Sequence, residues 1–207
     1  MSTGSMHTTR AGHAAALLLD GRVLVASGWR SVGGTTPEVY DRATGQWTVT
    51  GNLQIPQYEA TATLLTDGRV LLAGGRNNSY DPISGAEVYS PATGLWTAVP
   101  DMVEPHVGHS ATLLGDGRVL VAGTSVNGTR AEVYDPIINY WTPVASMNVG
   151  RSWHTATLFS DGRLLVAGGG DTNPSTAEIY DSGIPVYCCR TFLPVVMRDH
   201  EGGTSGQ

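Results

Sequence analysis

Apolar residues recur in pairs of short runs along the chain, and an Asp-Gly dipeptide separates the two runs of each pair. The first copy, at residues 17–28, reads LLLDGRVLVASG; the later copies read LLTDGRVLLAGG, LLGDGRVLVAGT and LFSDGRLLVAGG. Asp-Gly supplies the positive φ angles of a two-residue type I′ turn, so each copy predicts a tight β-hairpin. We call its first strand A and its second strand B.

Strand B is apolar at every position, as in RVLVA and RLLVA, instead of alternating between apolar and polar residues. A strand that is apolar on both faces must be covered on both faces. In an antiparallel meander this requires sheets that stack face to face, so each sheet is expected to cover its neighbour.

Two more strands are predicted in each repeat. Strand C reads PEVYD, AEVYS, AEVYD and AEIYD, and an aromatic residue of strand D follows its Tyr after seven positions: Trp47, Trp96, Trp141 and Tyr187. The turn between them holds a residue that tolerates left-handed backbone in three copies: Gly45, Gly94 and Asn139. The fourth copy has Pro185 there, so its outer strand is expected to be irregular.

The four Asp-Gly dipeptides lie roughly 45 to 50 residues apart, a repeat length typical of propeller blades. Four strands per repeat, a Gly-Gly closing strand B, and a Tyr and Trp further on resemble the kelch motif of β-propellers. The matching pairs are Gly74-Gly75 and Gly168-Gly169, with the weaker Ser27-Gly28 and Gly123-Thr124. A WD-repeat propeller is disfavoured because the chain has no Trp-Asp dipeptide.

This resemblance implies an all-β fold, a kelch-type β-propeller with four four-stranded antiparallel blades, either complete or part of a larger or incomplete propeller. We expect a propeller domain at residues 1–190 and a C-terminal strand or tail at 191–207. The blades are expected at about 7–53, 54–102, 103–147 and 148–190. The segment STGSM near the N-terminus is similar to the end of a strand D, as in a chain that begins inside a larger propeller. An open arc would leave sheet edges that promote self-association.

Composition narrows the classes of partner. The chain has 12 basic and 18 acidic residues, a net charge of −6, and all of its basic residues are Arg. Binding to nucleic acid or to an anionic membrane is therefore not expected. No signal peptide is recognisable, and the compartment stays open, extracellular if the chain is a fragment of a longer precursor. The adjacent Cys188 and Cys189 are expected to be free thiols.

Variable loops indicate where a ligand would bind. In an up-and-down meander the A–B and C–D turns lie on one face, and the B–C loops and the links between blades lie on the other. The first face carries near-identical turns, whereas the B–C loops differ in length and chemistry. Recognition usually resides in variable loops on a constant frame, so we predict a ligand, protein or glycan, on this second face.

The candidate ligand-binding residues of this face are Arg10, His13, Trp29, Arg30, Tyr58, Arg76, Tyr80, His106, His109, Arg130, Arg151, Trp153 and His154. Arg presents a planar fork that suits carboxylates, and aromatic rings suit sugar rings or peptide anchors. The alternative role for the arginines is to brace the loops. The alternative role for the aromatic residues is to pack between the loops. If Arg151 contacts a ligand, Arg151→Ala should weaken binding and leave stability nearly intact.

Three histidines share one position at the mouth of strand A: His13, His109 and His154, with Ala60 in the second copy. Three histidines around an axis could hold a metal ion. Hydrogen bonding to loop backbone is favoured instead, because the ring is incomplete and no carboxylates flank it. We therefore predict neither a metal nor a cofactor.

Two kinds of charged residue recur at the same position in every repeat, and we call each such set of equivalent residues a column. Both columns have structural explanations. Glu38, Glu87, Glu132 and Glu178 recur in strand C, and each is expected to accept exposed backbone N–H groups at the end of its own strand B. The second column, one residue after each Asp-Gly, is expected to brace strand B to strand C; it comprises Arg22, Arg69, Arg118 and Arg163.

An enzyme remains the alternative to a scaffold. The resemblance includes copper radical oxidases of the galactose oxidase kind, but their Tyr-His dipeptide is absent from this chain. A sugar-acid epimerase would need an acid/base near the channel, for which His109, His154 and Glu59 are the candidates. Since no cluster singles these residues out, the sequence favours a non-catalytic scaffold that binds a protein or a carbohydrate.

Overall fold

The computed structural model describes residues 3–29, 36–124, 128–170 and 175–181. Within these ranges the regular secondary structure consists of β-strands, with no helix. Among the described residues no helix could cross a membrane. The candidate Arg30, the aromatic Tyr187, both cysteines and the segment 191–207 lie outside the described ranges.

The strands form four antiparallel sheets, which we number as blades 1 to 4. Blade 1 contains β1 (Ala14–Leu17), β2 (Val23–Ala26), β3 (Glu38–Asp41) and β4 (Gln46–Val49). Blade 2 contains β5 (Thr61–Leu64), β6 (Val70–Ala73), β7 (Ala86–Ser90) and β8 (Leu95–Val99). Blade 3 contains β9 (Ser110–Leu113), β10 (Val119–Ala122), β11 (Ala131–Asp135) and β12 (Tyr140–Pro143), and blade 4 contains β13 (Thr155–Leu158), β14 (Leu164–Ala167) and β15 (Ala177–Tyr180).

Each sheet is a meander in which consecutive strands pair, and the register repeats from blade to blade. Tyr89 pairs with Trp96 across strands C and D, with ring centroids 5.1 Å apart, and Tyr134 pairs with Trp141 at 5.0 Å. The all-β prediction of stacked four-stranded sheets is confirmed, with three strands described in blade 4. The left-handed C–D turn residues are also as predicted, with φ of 70°, 71° and 53° at Gly45, Gly94 and Asn139.

The A–B turn differs from the two-residue type I′ turn that the sequence predicts. In blade 1 the amide of Gly21 donates to the Leu18 carbonyl (3.0 Å), and the Leu18 amide donates to the Arg22 carbonyl (2.8 Å). Gly21 has φ +85°, but Asp20 is not in the left-handed region. This is the three-residue loop in which a type I turn is followed by a left-handed Gly, and it occurs in all four blades.

The Arg column after the Asp-Gly dipeptides braces this turn and not strand C, which corrects the prediction. Arg69 Nε lies 2.7 Å from Asp67 Oδ2, while the second oxygen of Asp67 accepts the Arg69 amide at 3.0 Å. The same pairing occurs in the other three blades. Since Arg and Asp lie two residues apart around a tight turn, the contact is local.

Blades stack through two distinct sheet faces. The exit face of a blade points to the next blade along the chain, and the entry face points to the preceding one. Between blades 1 and 2, Leu24 and Val39 on the exit face meet Leu72 and Trp96 on the entry face. The same positions form the cores between blades 2 and 3 and between blades 3 and 4. Strand A is innermost, because β1 contacts β5, β5 contacts β9, and β9 contacts β13.

The Glu column ties each blade to the chain segment that enters it. Glu38 accepts the amides of His7 (2.8 Å) and Thr8 (3.1 Å), and Glu87 accepts those of Gln54 and Ile55. Glu132 and Glu178 accept the equivalent amides before blades 3 and 4. The predicted role as backbone acceptor is therefore correct, but the donors belong to the incoming link and not to the end of strand B.

Candidate functional site

The variable-loop face contains the B–C loops and the links between blades, and its B–C loop of blade 2 is described from end to end. Arg76 in this loop pairs with Tyr58 of the preceding link and with Pro82. The side chain of Asn77 caps the tip, because its Oδ1 accepts the amides of Ser79 (2.8 Å) and Asp81 (3.0 Å). The loop is thus a small ordered hairpin that holds its tip residues in fixed positions.

Three aromatic rings meet beside this hairpin, at the junction of blades 1 and 2. Tyr80 lies 6.1 Å from Trp29 with planes tilted by 59°, and 5.9 Å from Tyr58 with planes at 79°. With Glu59 and Arg76 they line a pocket of about 300 Å³. The Tyr58 ring is buried, Trp29 is 39% exposed and Tyr80 is 57% exposed, so the pocket has an apolar floor and open aromatic walls.

Backbone pairing fixes the position of the pocket walls. Trp29 exchanges two backbone hydrogen bonds with Ala11, at 2.6 and 3.1 Å, and Tyr58 exchanges two with Arg76. The Glu59 amide donates to the Gly12 carbonyl at 2.8 Å and so joins the two blades. Since these contacts involve main chain on every side, the three rings are carried by a rigid frame.

Polar groups of the pocket are arranged around the rings. Arg76 Nε lies 3.0 Å from Glu59 Oε2, and Arg76 Nη1 donates to the carbonyl of Tyr80 at 2.8 Å. The Tyr58 hydroxyl is buried and has no hydrogen-bond partner among the described residues. Burial, followed by the nearby Glu59 carboxylate, raises the pKa of this hydroxyl.

A column of left-handed residues lies just before the histidine column. Gly12 and Gly108 have φ of +62° and +65°, and Glu59 and Trp153 occupy the equivalent positions with φ +58°. Left-handed backbone costs a residue with a side chain about 1–2 kcal/mol. The second and fourth repeats nevertheless place a charged residue, Glu59, and an aromatic residue, Trp153, at this position. Strained residues of this kind cluster at functional sites.

Trp153 forms a second exposed aromatic point, separate from the pocket. Its ring is 62% exposed and lies over Gly108, where an added Cβ would come within 3.0 Å of two ring atoms. The Trp153 amide also donates to the Gly108 carbonyl. The pair repeats, between blades 3 and 4, the arrangement of Glu59 over Gly12 between blades 1 and 2.

The candidates Arg10, His106 and Arg151 are not at the surface. Arg151 is 1% exposed and donates to Gly168 O (2.7 Å), to Thr176 O (2.9 Å) and to the Glu178 carboxylate. Arg10 makes the same set of contacts in blade 1. These side chains brace the B–C loop to strand C, which was the alternative to ligand contact, and we do not include them in the binding surface.

His106 occupies the same position in blade 3. It is fully buried, with Nδ1 2.8 Å from the Gly123 carbonyl and Nε2 3.3 Å from Glu132 Oε1. Gln57 fills the position in blade 2, and both polar atoms of its side chain lack a hydrogen-bond partner among the described residues. The brace is therefore present in three blades and missing in the second.

The histidine column bridges neighbouring blades. His109 Nε2 lies 2.8 Å from Thr61 Oγ1, and His154 Nε2 lies 2.9 Å from Ser110 Oγ. Burial, followed by the charges of His106 and His154, lowers the pKa of His109 to about 3. His13, at the open end of the column, is exposed. In the described part of the chain no three His, Cys, Asp or Glu side chains are grouped as a metal site would require.

Sequence reasoning placed Trp29, Tyr58, Arg76 and Tyr80 on the binding face, and the structure brings these four together. Arg130 lies apart in blade 3, where it pairs with Glu104 at 2.9 Å. The sequence pattern indicates Glu59 only as a candidate acid/base, yet Glu59 completes the lining of the pocket. The sequence did mark Glu59 as unusual, because two other repeats have Gly at the equivalent position, next to the histidine column.

Four meanders of matching register that stack face to face define a repeat protein of the β-propeller class. A family model for the kelch motif matches residues 61–103, which contain all four strands of blade 2. Blade 2 therefore carries a kelch motif, and the four antiparallel sheets are consistent with the kelch-repeat propeller that the sequence resemblance implied. No curated protein matches the chain. Kelch repeats generally mediate protein interactions, so the motif in blade 2 indicates a protein-interaction scaffold in general terms.

Proposed function

We propose that this scaffold binds a protein partner on its variable-loop face, and that the partner inserts an apolar or aromatic side chain between Trp29, Tyr58 and Tyr80. The observation that carries the proposal is the aromatic pocket held by an ordered hairpin. Exposed aromatic residues on rigid supports are frequent anchors of protein interfaces, because they bury a large area at low cost in conformational entropy.

The geometry of the rings favours a side chain over a sugar. A sugar ring stacks on one flat aromatic surface, whereas these rings meet at 59° and 79° and form a corner. The volume of about 300 Å³ is at the small end for ligand pockets and suits one or two side chains. The motif also supports protein binding as the general function.

The ion pair at the rim supports orientation of the partner. The side chains of Arg76 and Glu59 are 26% and 27% exposed, so each charge is already partly compensated. Their remaining polar atoms are able to bond the main chain of an incoming peptide. Arg76 also holds the Tyr80 carbonyl, which keeps the hairpin tip ordered before the partner binds and lowers the entropic cost of binding.

Selection from a random peptide library tests the proposal. The wild-type chain should enrich peptides that share an apolar or aromatic anchor, and a labelled peptide from that set should bind Tyr80→Ala at least about tenfold more weakly, measured by fluorescence anisotropy. Tyr140→Ala is the matched control, because Tyr140 is 58% exposed against 57% for Tyr80 but lies on the outer strand of blade 3.

Two outcomes would contradict the proposal. Equal affinity of the peptide for wild type and Tyr80→Ala would place the interface elsewhere. Binding only to members of a glycan array, with no peptide enriched, would show that the ligand is a carbohydrate.

A further inference from the structure

The exit face of blade 4 is exposed, although the same face is buried in the other three blades. Phe159, Leu165 and Ile179 are 36%, 37% and 51% exposed. The nine equivalent side chains of blades 1 to 3 are at most 4% exposed: Leu18, Leu65, Leu114, Leu24, Leu71, Leu120, Val39, Val88 and Val133. Among the described residues, no blade covers the exit face of blade 4.

The entry face of blade 1 is partly exposed, although Val25 in its central strand is buried. Leu17 is 63% exposed, and Tyr40 and Trp47 are only half-buried. Their counterparts pack inside the blade interfaces, where the tyrosines of strand C are at most 4% exposed and the two tryptophans of strand D at most 6%: Tyr89, Tyr134, Tyr180, Trp96 and Trp141.

These two faces are complementary halves of one interface. An exit face meets an entry face three times among the described residues, with Leu and Val of one blade packed against Tyr and Val of the next. A Trp joins the first two of these interfaces. Within the described residues, no contact between β13 and β1 is comparable to those that join the other inner strands. The free exit face and the free entry face of one molecule are therefore not buried against each other.

We infer that a second copy of this chain covers them: blade 4 of each copy packs its exit face on the entry face of blade 1 of the other. The contact is heterologous, since two different surfaces meet, and two copies that close on each other satisfy all four free faces. Burial of these apolar side chains supplies the driving force. The inference does not depend on the proposed function.

The chain segment that leads into blade 1 is held against that blade in the same way as the segment that leads into blade 2. Gly4 N donates to Gly45 O (3.0 Å) and Gly4 O accepts from Trp47 Nε1 (3.0 Å). Gly51 makes the equivalent backbone bond to Gly94 ahead of blade 2, where an exit face does cover the entry face. The first sheet is thus prepared for stacking like an internal one.

Sedimentation velocity of the full chain over a concentration series, from low to several hundred micromolar, tests the inference. The wild type should show a species of twice the monomer mass that grows with concentration. Leu17→Glu should abolish it by damaging the entry face, and Ile179→Glu should abolish it by damaging the exit face. Ile137→Glu is the control, because Ile137 is 89% exposed in a C–D turn and lies on neither face.

Mixing the two damaged variants gives the decisive result. Leu17→Glu keeps an intact exit face and Ile179→Glu keeps an intact entry face, so the mixture should form a one-to-one pair that neither variant forms alone. Leu165→Glu should behave like Ile179→Glu, which guards against a defect in folding of one variant. A wild type that stays monomeric at every concentration would overturn the inference, as would association that survives both substitutions or no pairing on mixing.

Discussion

Arg10 and Glu38 form an ion pair inside blade 1, with Nη2 2.7 Å from Oε1 and side chains that are 2% and 0% exposed. Arg151 and Glu178 repeat the pair in blade 4 at 3.1 Å. Both arginines lie in the link before strand A and reach the B–C loop and strand C of the same blade. The link, the loop and the strand are therefore held together by one buried guanidinium.

Arg10→Ala should destabilise the protein by about 3 to 5 kcal/mol, because it leaves a buried carboxylate without its cation. Arg151→Ala should have a similar effect, in contrast to the small change in stability expected from the sequence. Urea unfolding measures both. Gln57→Ala, at the equivalent position of blade 2 where no such bond exists, should cost much less; equal losses at all three positions would show that the ion pair contributes nothing.

Trp96→Ala should cost about 3 to 5 kcal/mol, as for a large side chain removed from a packed core. Trp96 is 6% exposed and packs in the interface between blades 1 and 2. Trp47→Ala removes the same side chain from the exposed entry face of blade 1, and its cost should be clearly smaller in dilute protein. A loss below about 1 kcal/mol for Trp96→Ala would contradict its place in the core.

Acidification should weaken the fold through His109. The folded protein lowers the pKa of this histidine from 6.5 to about 3, mainly by burial, so the neutral form is favoured in the fold. As pH falls below 6.5 the unfolded chain gains a proton that the folded chain cannot accept, and stability is lost down to about pH 3.

Unfolding free energies at pH 7.5 and 5.5 isolate this effect. The wild type should lose about 1 kcal/mol more than His109→Gln between the two conditions. The buried Glu38 does not interfere: burial alone would raise its pKa, but hydrogen bonds from His7, Arg10 and Thr8 outweigh burial and lower the pKa to about 2. The same dependence on pH in both proteins would exclude His109 as its source.

Glu59→Gly should separate stability from binding. Gly relieves a backbone with φ +58°, so the free energy of unfolding should stay within about 1 kcal/mol of wild type or rise. Loss of the carboxylate at the pocket rim should weaken the selected peptide several-fold. Gly12→Glu would be the reverse change at the equivalent position; a Glu59→Gly variant that binds normally would remove this residue from the interface.

Most of the fold was predictable from the sequence because the recurring pattern in each repeat constrains where the strands lie and how the sheets pack. Strand B, apolar on both sides, required stacked sheets, and the seven-residue step from Tyr89 to Trp96 located strand D. The predicted type of the A–B turn was wrong because Asp-Gly suits both a two-residue and a three-residue loop. The φ of Asp20, which a sequence pattern does not report, distinguishes them.

The site was harder to predict because side-chain direction at a strand mouth depends on neighbouring elements. Arg151 and Trp153 lie two residues apart, yet one is 1% and the other 62% exposed. A polar side chain next to a variable loop is equally compatible with a brace and with a ligand contact. The donors to the Glu column were missed for a related reason, since strand pairing predicts contacts within a sheet but not the path of the link outside it.

The carboxylates of strand C have a consequence for any attempt to shorten or recombine this protein. Each of them takes its amide donors from residues that precede strand A, so the smallest autonomous module begins ahead of its first strand and not at it. A cut after Thr8 would leave Glu38 without its two amide donors, whereas a cut before Gly4 would preserve them. Junctions for chimeric or permuted arrays belong upstream of the link, at the boundary where one sheet's last strand has ended.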